Sequence, residues 1–129
     1  MSGKRYFWLK LPEDFFRRGY IRLLRRLPEG DRLTVIYLEI LLLGLKTGGE
    51  LCYEGAEDPA EELALELFEP PEEVRAVLEQ MTRRGKILPA EGGFVLTECA
   101  EMTGSEGASA KRMRDQRRRE RESDTPILY

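Results

Sequence analysis

A nearly all-apolar helix is the feature that most constrains how this chain can fold. Asp31 suits a helix N-cap and Gly48-Gly49 suits a helix end, and leucine, isoleucine and valine dominate residues 31–47 between them. Such a helix has no polar face to turn to water, so it belongs at the centre of a fold or in a subunit interface. The sequence therefore predicts that other elements pack around residues 31–47, and a homodimer through this helix stays open as an alternative.

Two helices and a hairpin are expected after the central helix. The dipeptide Asp58-Pro59 suits a capped helix start, and helices at residues 59–68 and 71–84 would be joined by a very short turn. Residues 86–97 contain two short apolar runs around a glycine pair, which is typical of a strand–loop–strand hairpin. With a short strand at 51–53, this order predicts a mostly α fold with a small antiparallel β wing, a winged helix-turn-helix.

An extra strand and helix are expected in front of that unit. Residues 4–11 are rich in aromatics and predict a strand, and a basic helix should run from Pro12 to about Leu27. The predicted organisation is an N-terminal strand and basic helix packed on the core over residues 1–30, a winged-helix domain over 31–98, and a charged, flexible tail over 99–129.

Helical spacing predicts which side chains of these helices face the core. In the first helix the packing stripe consists of Phe16, Tyr20, Leu23 and Leu27. In the later helices the inward residues are Leu63, Ala64, Leu67 and Phe68, followed by Val74, Val77, Leu78 and Met81.

Charge is distributed unevenly along the chain, although the net charge is only −3. Residues 1–35 carry nine Lys and Arg against four Asp and Glu, and residues 108–129 carry seven against four. Residues 36–107 carry five against sixteen. Basic ends can hold a polyanion by releasing its counterions, and together with the predicted helix-turn-helix pair they lead us to expect double-stranded DNA as a partner.

The composition also argues against several classes of function. The chain has no histidine and two cysteines, Cys52 and Cys99, so it offers neither a zinc ligand set nor histidine-based catalysis. We therefore predict a protein that is not an enzyme and uses no cofactor or metal. The longest apolar run, Leu33–Leu45, is too short and too polar to span a membrane, and the N-terminus has no secretion signal. These features predict a cytoplasmic protein.

Arginines dominate one side of the predicted first helix, where we expect them to contact DNA phosphates. These residues and their neighbours are Arg17, Arg18, Arg22, Arg25, Arg26 and Arg32. The helix at 71–84 offers Arg75 for a base contact. Further phosphate contacts are expected from Arg83, Arg84 and Lys86 and from the tail residues Lys111, Arg112 and Arg114. In an alternative reading, the arginine row docks the acidic middle of a second subunit, and Arg75 and Arg83 pair with Glu79.

Several short stretches match one known family in the same order. They are Arg5-Tyr6-Phe7-Trp8-Leu9-Lys10-Leu11, Asp14-Phe15-Phe16, Gly30-Asp31, Ile36-Tyr37-Leu38, Leu41-Leu42-Leu43, Glu62-Leu63-Ala64-Leu65-Glu66-Leu67, Gly104-Ser105-Glu106 and Ser109-Ala110-Lys111-Arg112. Over roughly residues 4–114 the chain resembles the N-terminal domain of phage replisome organiser proteins. The resemblance implies a winged-helix domain that binds DNA at a phage or prophage replication origin. It also implies recruitment of helicase-loading proteins, a role shared with DnaD-like proteins.

Two rival functions use the same fold, because function depends on the site rather than the fold. One is a sequence-specific transcriptional regulator, which would bind near promoters rather than origins. The other is a protein-interaction winged helix whose acidic surface docks a replisome component, for example a helicase loader.

Overall fold

Five α-helices and five short strands build the part of the chain that the computed structural model describes, residues 5–107 and 116–117. In chain order they are β1 (Arg5–Leu9), α1 (Gly19–Arg26), α2 (Gly30–Leu43), β2 (Glu50–Cys52), α3 (Pro59–Leu67), α4 (Pro71–Arg83), β3 (Ile87–Ala90), β4 (Gly93–Leu96), α5 (Cys99–Met102) and β5 (Thr103–Gly107). Single 3₁₀ turns at Phe15–Arg17 and Leu45–Thr47 precede α1 and follow α2. The structure confirms the predicted mostly α, winged-helix-like fold with a small antiparallel wing.

The apolar helix α2 lies at the centre of the fold. The side chains of Ile36, Ile40 and Leu41 are at most 1% exposed, and α1 and α4 pack against the helix. Asp31 is not the cap that the sequence predicted, because the helix begins at Gly30 with Glu29 in the cap position, two residues earlier. Gly30 is buried where α1 and α2 meet, and a Cβ there would lie 2.0 Å from the carbonyl oxygen of Arg25. Among the described residues, no helix has the length and apolarity needed to cross a membrane.

The helices α3 and α4 form the expected helix-turn-helix pair. The carboxylate of Asp58 accepts a hydrogen bond from the backbone N–H of Ala60 at 3.2 Å, which confirms the predicted cap. The predicted core positions that are buried are Leu63, Ala64, Val74, Val77, Leu78 and Met81. The prediction for Phe68 was wrong. This residue ends α3 with a left-handed backbone, φ +59°, which turns its side chain away from the buried face and leaves it 95% exposed.

The wing is a three-stranded antiparallel sheet in the order β2–β4–β3. Leu88 of β3 lies opposite Val95 of β4, and the turn between these strands forms the tip of the wing. Gly93 lies so close to β2 that a Cβ would be 1.8 Å from the carbonyl oxygen of Leu51, so this position requires glycine. At the foot of the wing, the ammonium group of Lys86 lies 4.5 Å from the ring centre of Tyr20, which places the wing beside α1.

The helix α1 is shorter than the sequence predicted. Instead of one helix from Pro12 to Leu27, the chain makes a 3₁₀ turn, then an extended residue at Arg18 with ψ 138°, and only then the helix. At this break, Arg18 donates hydrogen bonds to Asp14 and Glu98, which both lie outside α1. Helix propensity depends on neighbouring residues alone, so it does not reveal this break.

The break also changes which face of α1 packs on the core. The side chains that pack there are Ile21 and Leu24, with Tyr20 and Leu27 half-buried beside them. The predicted packing stripe was wrong for Phe16 and Leu23, which are 48% and 39% exposed. Phe16 belongs to the 3₁₀ turn, so it does not continue the helical spacing of α1.

The chain after residue 98 differs from the predicted tail over residues 99–129. Cys99 and Met102 are at most 1% exposed, and β5 pairs antiparallel with β1, with Arg5 opposite Gly107. Because β5 has no apolar run, its sequence gives no strand signal, and backbone pairing with β1 holds it. Gly104 makes room for the Trp8 indole, whose Nε1 would lie 2.1 Å from a Cβ. The predicted tail residues 108–115 and 118–129 lie outside the described residues.

Candidate nucleic-acid interface

Arg22 and Arg26 form an exposed pair on the outer face of α1, called here the basic stripe. They are four residues apart, so both side chains leave the same helix face one turn apart. Neither side chain has a hydrogen-bond or ion-pair partner among the residues that the structure describes. Together with Gly19, Leu23 and Arg25, they line an open depression of about 520 Å³. The stripe is therefore free to meet an anion from solvent.

Other arginines of this region meet carboxylates of the same chain. The Nε of Arg25 donates a hydrogen bond to Asp31 at 3.0 Å, and its guanidinium lies 5.7 Å from the ring centre of Phe16. Arg17 is 4.0 Å from Glu13, and both side chains are well exposed, so this pair is weak. The predicted arginine row is thus divided into a free stripe and neutralised neighbours.

Arg18 turns away from the predicted row toward a buried carboxylate. Glu98, whose side chain is only 7% exposed, accepts a hydrogen bond from Nη1 of Arg18 at 3.2 Å and lies 3.7 Å from the ammonium group of Lys86. The hydroxyl of Tyr37 donates to the other carboxylate oxygen at 2.7 Å, and the hydroxyl of Tyr20 also donates to this carboxylate. Arg18 and Lys86, two of the residues predicted to contact DNA, therefore interact with Glu98 instead.

The surroundings of Glu98 keep its partners in their hydrogen-bonding protonation states. Burial, followed by the hydrogen bond to Glu98, raises the pKa of Tyr20 and of Tyr37 above the ordinary tyrosine range. The hydrogen bond with Tyr20 is the largest cause that raises the pKa of Arg18. Both tyrosines therefore remain proton donors and Arg18 remains charged at neutral pH.

Arg32, at the start of α2, is tied to the first turn of α4. Its Nε and Nη2 donate to the carboxylate of Glu73 at 3.1 and 2.8 Å, and Nη2 lies 3.8 Å from Glu69. The hydrogen bond with Glu73 also raises the pKa of Arg32. A two-point contact of this kind holds the guanidinium in one orientation, so a phosphate would have to displace a carboxylate to reach it.

The first turn of α4, where a helix-turn-helix normally reads bases, is acidic. It contains Glu72 and Glu73. Arg75, the predicted base contact, donates a hydrogen bond to Asp58 instead, and this contact lowers the pKa of Asp58. Asp58 thus serves both as the cap of α3 and as an anchor for Arg75.

The end of α4 carries the remaining predicted phosphate contacts. Nη2 of Arg83 donates to Glu79 at 2.6 Å, in agreement with the alternative i,i+4 pairing considered from the sequence. Arg84 is exposed and has no side-chain partner within the described part of the chain. Lys111, Arg112 and Arg114 lie outside the described residues, so their predicted contacts stay predictions.

Sequence reasoning missed the carboxylates that neutralise these cations. Glu98 is eighty residues from Arg18, and Glu73 is forty-one residues from Arg32. Pairs so distant along the chain leave no periodic signal, whereas the Arg83–Glu79 pair is local and its spacing does predict it. DNA binding by any of these residues stays a prediction.

Comparison with known proteins identifies the family of the chain. No curated protein and no solved structure matches it. The family model for the N-terminal phage replisome organiser matches residues 8–124, which cover every helix described above. By this match, the chain belongs to the N-terminal phage replisome organiser family and has a role in phage replication.

Proposed function

We propose that this domain is a non-enzymatic module that binds duplex DNA at a phage replication origin and helps to bring replication proteins there. Family membership supports the replication role. The observation that carries the choice of DNA as ligand is the basic stripe, because Arg22 and Arg26 are exposed side by side without a carboxylate partner among the described residues. The chain as a whole has a net charge of −3, so an exposed pair of arginines without carboxylate partners among the described residues favours a specific anionic partner.

The stripe is suited to phosphates rather than to base edges. Two guanidiniums one helical turn apart, with Cβ atoms about 5–6 Å from each other, can each contact a phosphate of one DNA strand. Each phosphate that they neutralise releases counterions, which makes the slope of log K against log salt more negative by about 0.9. We therefore expect binding that weakens steeply with salt and tolerates many sequences.

The acidic start of α4 argues against the rival assignment as a transcriptional regulator. A regulator on this fold would place the first turn of α4 in the major groove, where Glu72 and Glu73 would meet phosphates. Arg75 would also have to leave Asp58 before it could reach a base. An origin-binding protein that contacts mainly the DNA backbone meets neither obstacle, and the tail residues Lys111, Arg112 and Arg114 are proposed to add to its affinity.

Fluorescence anisotropy with a labelled duplex, measured from about 50 to 200 mM KCl, tests the proposal. Reversing both charges of the stripe, Arg22→Glu with Arg26→Glu, should weaken binding on the order of tenfold or more and make the negative salt slope shallower by about 2. The loss should be similar for origin DNA and for an unrelated duplex.

A control of equal charge change separates the stripe from net charge. Lys10→Glu with Lys46→Glu changes the net charge by the same amount at exposed positions outside α1 that are not among the predicted DNA contacts. This variant should keep most of the affinity. Equal losses in the two variants, or no measurable binding of the unaltered protein at 50 mM salt, would refute a stripe-based DNA site.

A further inference from the structure

The strand β1 presents two aromatic side chains to solvent, called here the aromatic face. Side chains alternate between the two sides of a strand, so Tyr6 and Trp8 leave β1 on one side, and Phe7 and Leu9 leave on the other. Phe7 and Leu9 pack against the core, whereas Tyr6 and Trp8 are 37% and 36% exposed. Packing of the core therefore accounts for Phe7 and Leu9 but not for the two rings of the aromatic face.

Gly104 of β5 supports the indole of Trp8 from one side. The two residues lie opposite each other in the pairing of β1 with β5, and three indole atoms would lie 2.1–2.8 Å from a Cβ at position 104. Glycine thus lets the indole lie against the backbone of β5, while more than a third of the side chain remains exposed. A ring that is held in this way loses little conformational entropy when a flat ligand packs on it, so it is preorganised for stacking.

Positive charge accompanies the aromatic face. The first twelve residues contain no acidic residue and three basic ones, Lys4, Arg5 and Lys10. The backbone N–H of Lys10 donates to the carbonyl oxygen of Met102 at 2.7 Å, so strand geometry continues to Lys10 and its exposed side chain leaves on the side of the aromatic face. The carboxylate of β5, Glu106, lies opposite Tyr6, at the other end of the face. The end beside Lys10 is therefore the one that favours an anion.

The spacing of the two rings suits bases that are not stacked on one another. Residues two apart on a strand are separated by about 6.7 Å, whereas successive bases of a duplex rise by about 3.4 Å. Two adjacent bases of a duplex therefore cannot each meet one ring, and their faces are covered by their neighbours. In an extended single strand the base faces are accessible. Proteins hold such strands with aromatic side chains on a sheet and with cations that contact the phosphates.

We propose that the aromatic face binds single-stranded nucleic acid, with one base stacked on Trp8, the next on Tyr6, and a phosphate beside Lys10. Stacking accepts every base, so the site should show little sequence preference. This site goes beyond the duplex site assigned to the basic stripe, because it uses other side chains on another element and requires unpaired bases. A domain with both sites contacts a duplex and also a strand that is exposed when a duplex opens.

Fluorescence of Trp8 tests the proposal directly, because it is the only tryptophan of the chain. An oligothymidine of about 12 nucleotides, added to the full chain at about 50 mM KCl, should quench the emission by stacking. A DNA strand of the same length without bases carries the same phosphates and should leave the emission unchanged. An oligouridine of the same length is the RNA arm, and the tighter-binding of the two strands identifies the ligand.

A matched pair of variants separates stacking from other contacts. Tyr6→Leu keeps the fluorescent probe but removes one stacking partner, so it should weaken binding of oligothymidine at least about fivefold. Phe68→Leu makes the same change at a ring that is 95% exposed at the end of α3, and it should leave binding unchanged. No quenching by either strand, equal quenching by the strand without bases, or equal affinities of the two variants would overturn the proposal.

Failure of this site and failure of the duplex site are distinguishable. Tyr6→Leu changes no charge and should leave the affinity for duplex DNA unchanged. Arg22→Glu with Arg26→Glu should weaken duplex binding, while saturating oligothymidine still quenches the emission. Lys10→Glu with Lys46→Glu should show the opposite pattern, with most of the duplex affinity kept and oligothymidine bound more weakly. A Tyr6→Leu chain that lost duplex and single-strand binding equally would contradict a separate site.

Discussion

Glu98 orients side chains from three different parts of the chain. Its carboxylate accepts hydrogen bonds from Tyr37 on α2 and from Arg18 at the start of α1, and it lies 3.7 Å from Lys86 below the wing. A buried carboxylate is favourable only when several donors replace the water that it has lost. Glu98 thereby links α1, α2 and the wing, and it determines which of the basic residues remain available at the surface.

Removing this carboxylate should destabilise the domain. Glu98→Ala leaves Arg18, Lys86 and the two tyrosine hydroxyls without their acceptor, so we expect a loss of about 3 kcal/mol in the free energy of unfolding. Glu98→Gln keeps an acceptor but loses the charge and should cost about half as much. Urea unfolding followed by circular dichroism measures both.

An exposed carboxylate near the same arginine provides the control. Glu101 lies 3.8 Å from Arg18 and its side chain is 66% exposed. Glu101→Ala should change the free energy of unfolding by no more than about 0.5 kcal/mol. Equal effects of the alanine variants at positions 98 and 101 would show that Glu98 does not have the structural role assigned to it.

Glu39 is a residue whose pKa is changed by its surroundings. Burial raises its pKa to about 7, and a hydrogen bond to the carboxyl group of Glu69 adds to the shift. One oxygen of Glu39 is buried and has no hydrogen-bond partner within the described residues. The guanidinium of Arg32 lies 3.8 Å from Glu69, so a positive charge borders this pair of carboxyl groups. The two carboxyl groups are compatible while they share a proton and repel each other once both ionise.

The stability of the fold should therefore depend on pH through Glu39. Because the folded pKa of about 7 exceeds the ordinary value of 4.5, the stabilising contribution is complete below pH 4.5 and is lost as pH rises through 7. Glu39→Gln should add about 1 kcal/mol to the free energy of unfolding at pH 8, after allowance for solvent screening, and nearly nothing at pH 4.5. Urea titrations at both pH values measure the difference.

Glu91→Gln, at the exposed tip of the wing, is the control for this pH dependence. It should leave the stability difference between pH 4.5 and pH 8 unchanged. If Glu39→Gln destabilised the chain equally at both pH values, the carboxyl pair would have no proton-dependent role.

At the scale of elements, local signals predicted most of the winged unit. The Asp58 cap and the spacing of apolar residues in α4 identified the helix pair, and the glycine pair identified the wing hairpin. These features are encoded within a few neighbouring residues, which is where sequence patterns are informative. The interruption before α1 and the strand β5 were missed, because contacts with distant residues determine both.

The candidate site was predictable only in part. Spacing correctly placed Arg22 and Arg26 on one helix face, since helical geometry is local. It could not show that Arg18, Arg32 and Arg75 are each held by a carboxylate from another element. The exposure of Phe68 was missed for a related reason, because the left-handed end of α3 interrupts the helical phase.

At the scale of the whole molecule, the two ends of the fold close on each other. The strand β5 pairs with β1, and α5 places Cys99 and Met102 in the core that α2 organises. The domain thus extends past the boundary at residue 98 that composition predicted. The residues that complete it look like a linker in sequence but contribute buried side chains and backbone pairing.

Truncation distinguishes these two boundaries. A chain that ends at residue 98 loses the buried side chain of Met102, worth about 1.5–3 kcal/mol, the smaller buried side chain of Cys99, and the partner of β1. Its Tm should fall by about 10 °C or more, or the chain should fail to fold. A chain that ends at residue 107 keeps all of these contacts and should melt within about 2 °C of the full chain. Equal Tm values for the two truncated chains would show that the domain ends at residue 98.

The pairing of β1 with β5 also has an electrostatic consequence. Arg5 lies opposite Gly107, and paired strands are about 5 Å apart, so the segments attached to these two residues depart from adjacent points. The point where residues 108–129, with seven Lys and Arg against four Asp and Glu, join the folded domain is therefore beside Arg5. For a nucleic acid, we expect this basic segment and the folded domain to act together, with the local concentration of each raised by the other.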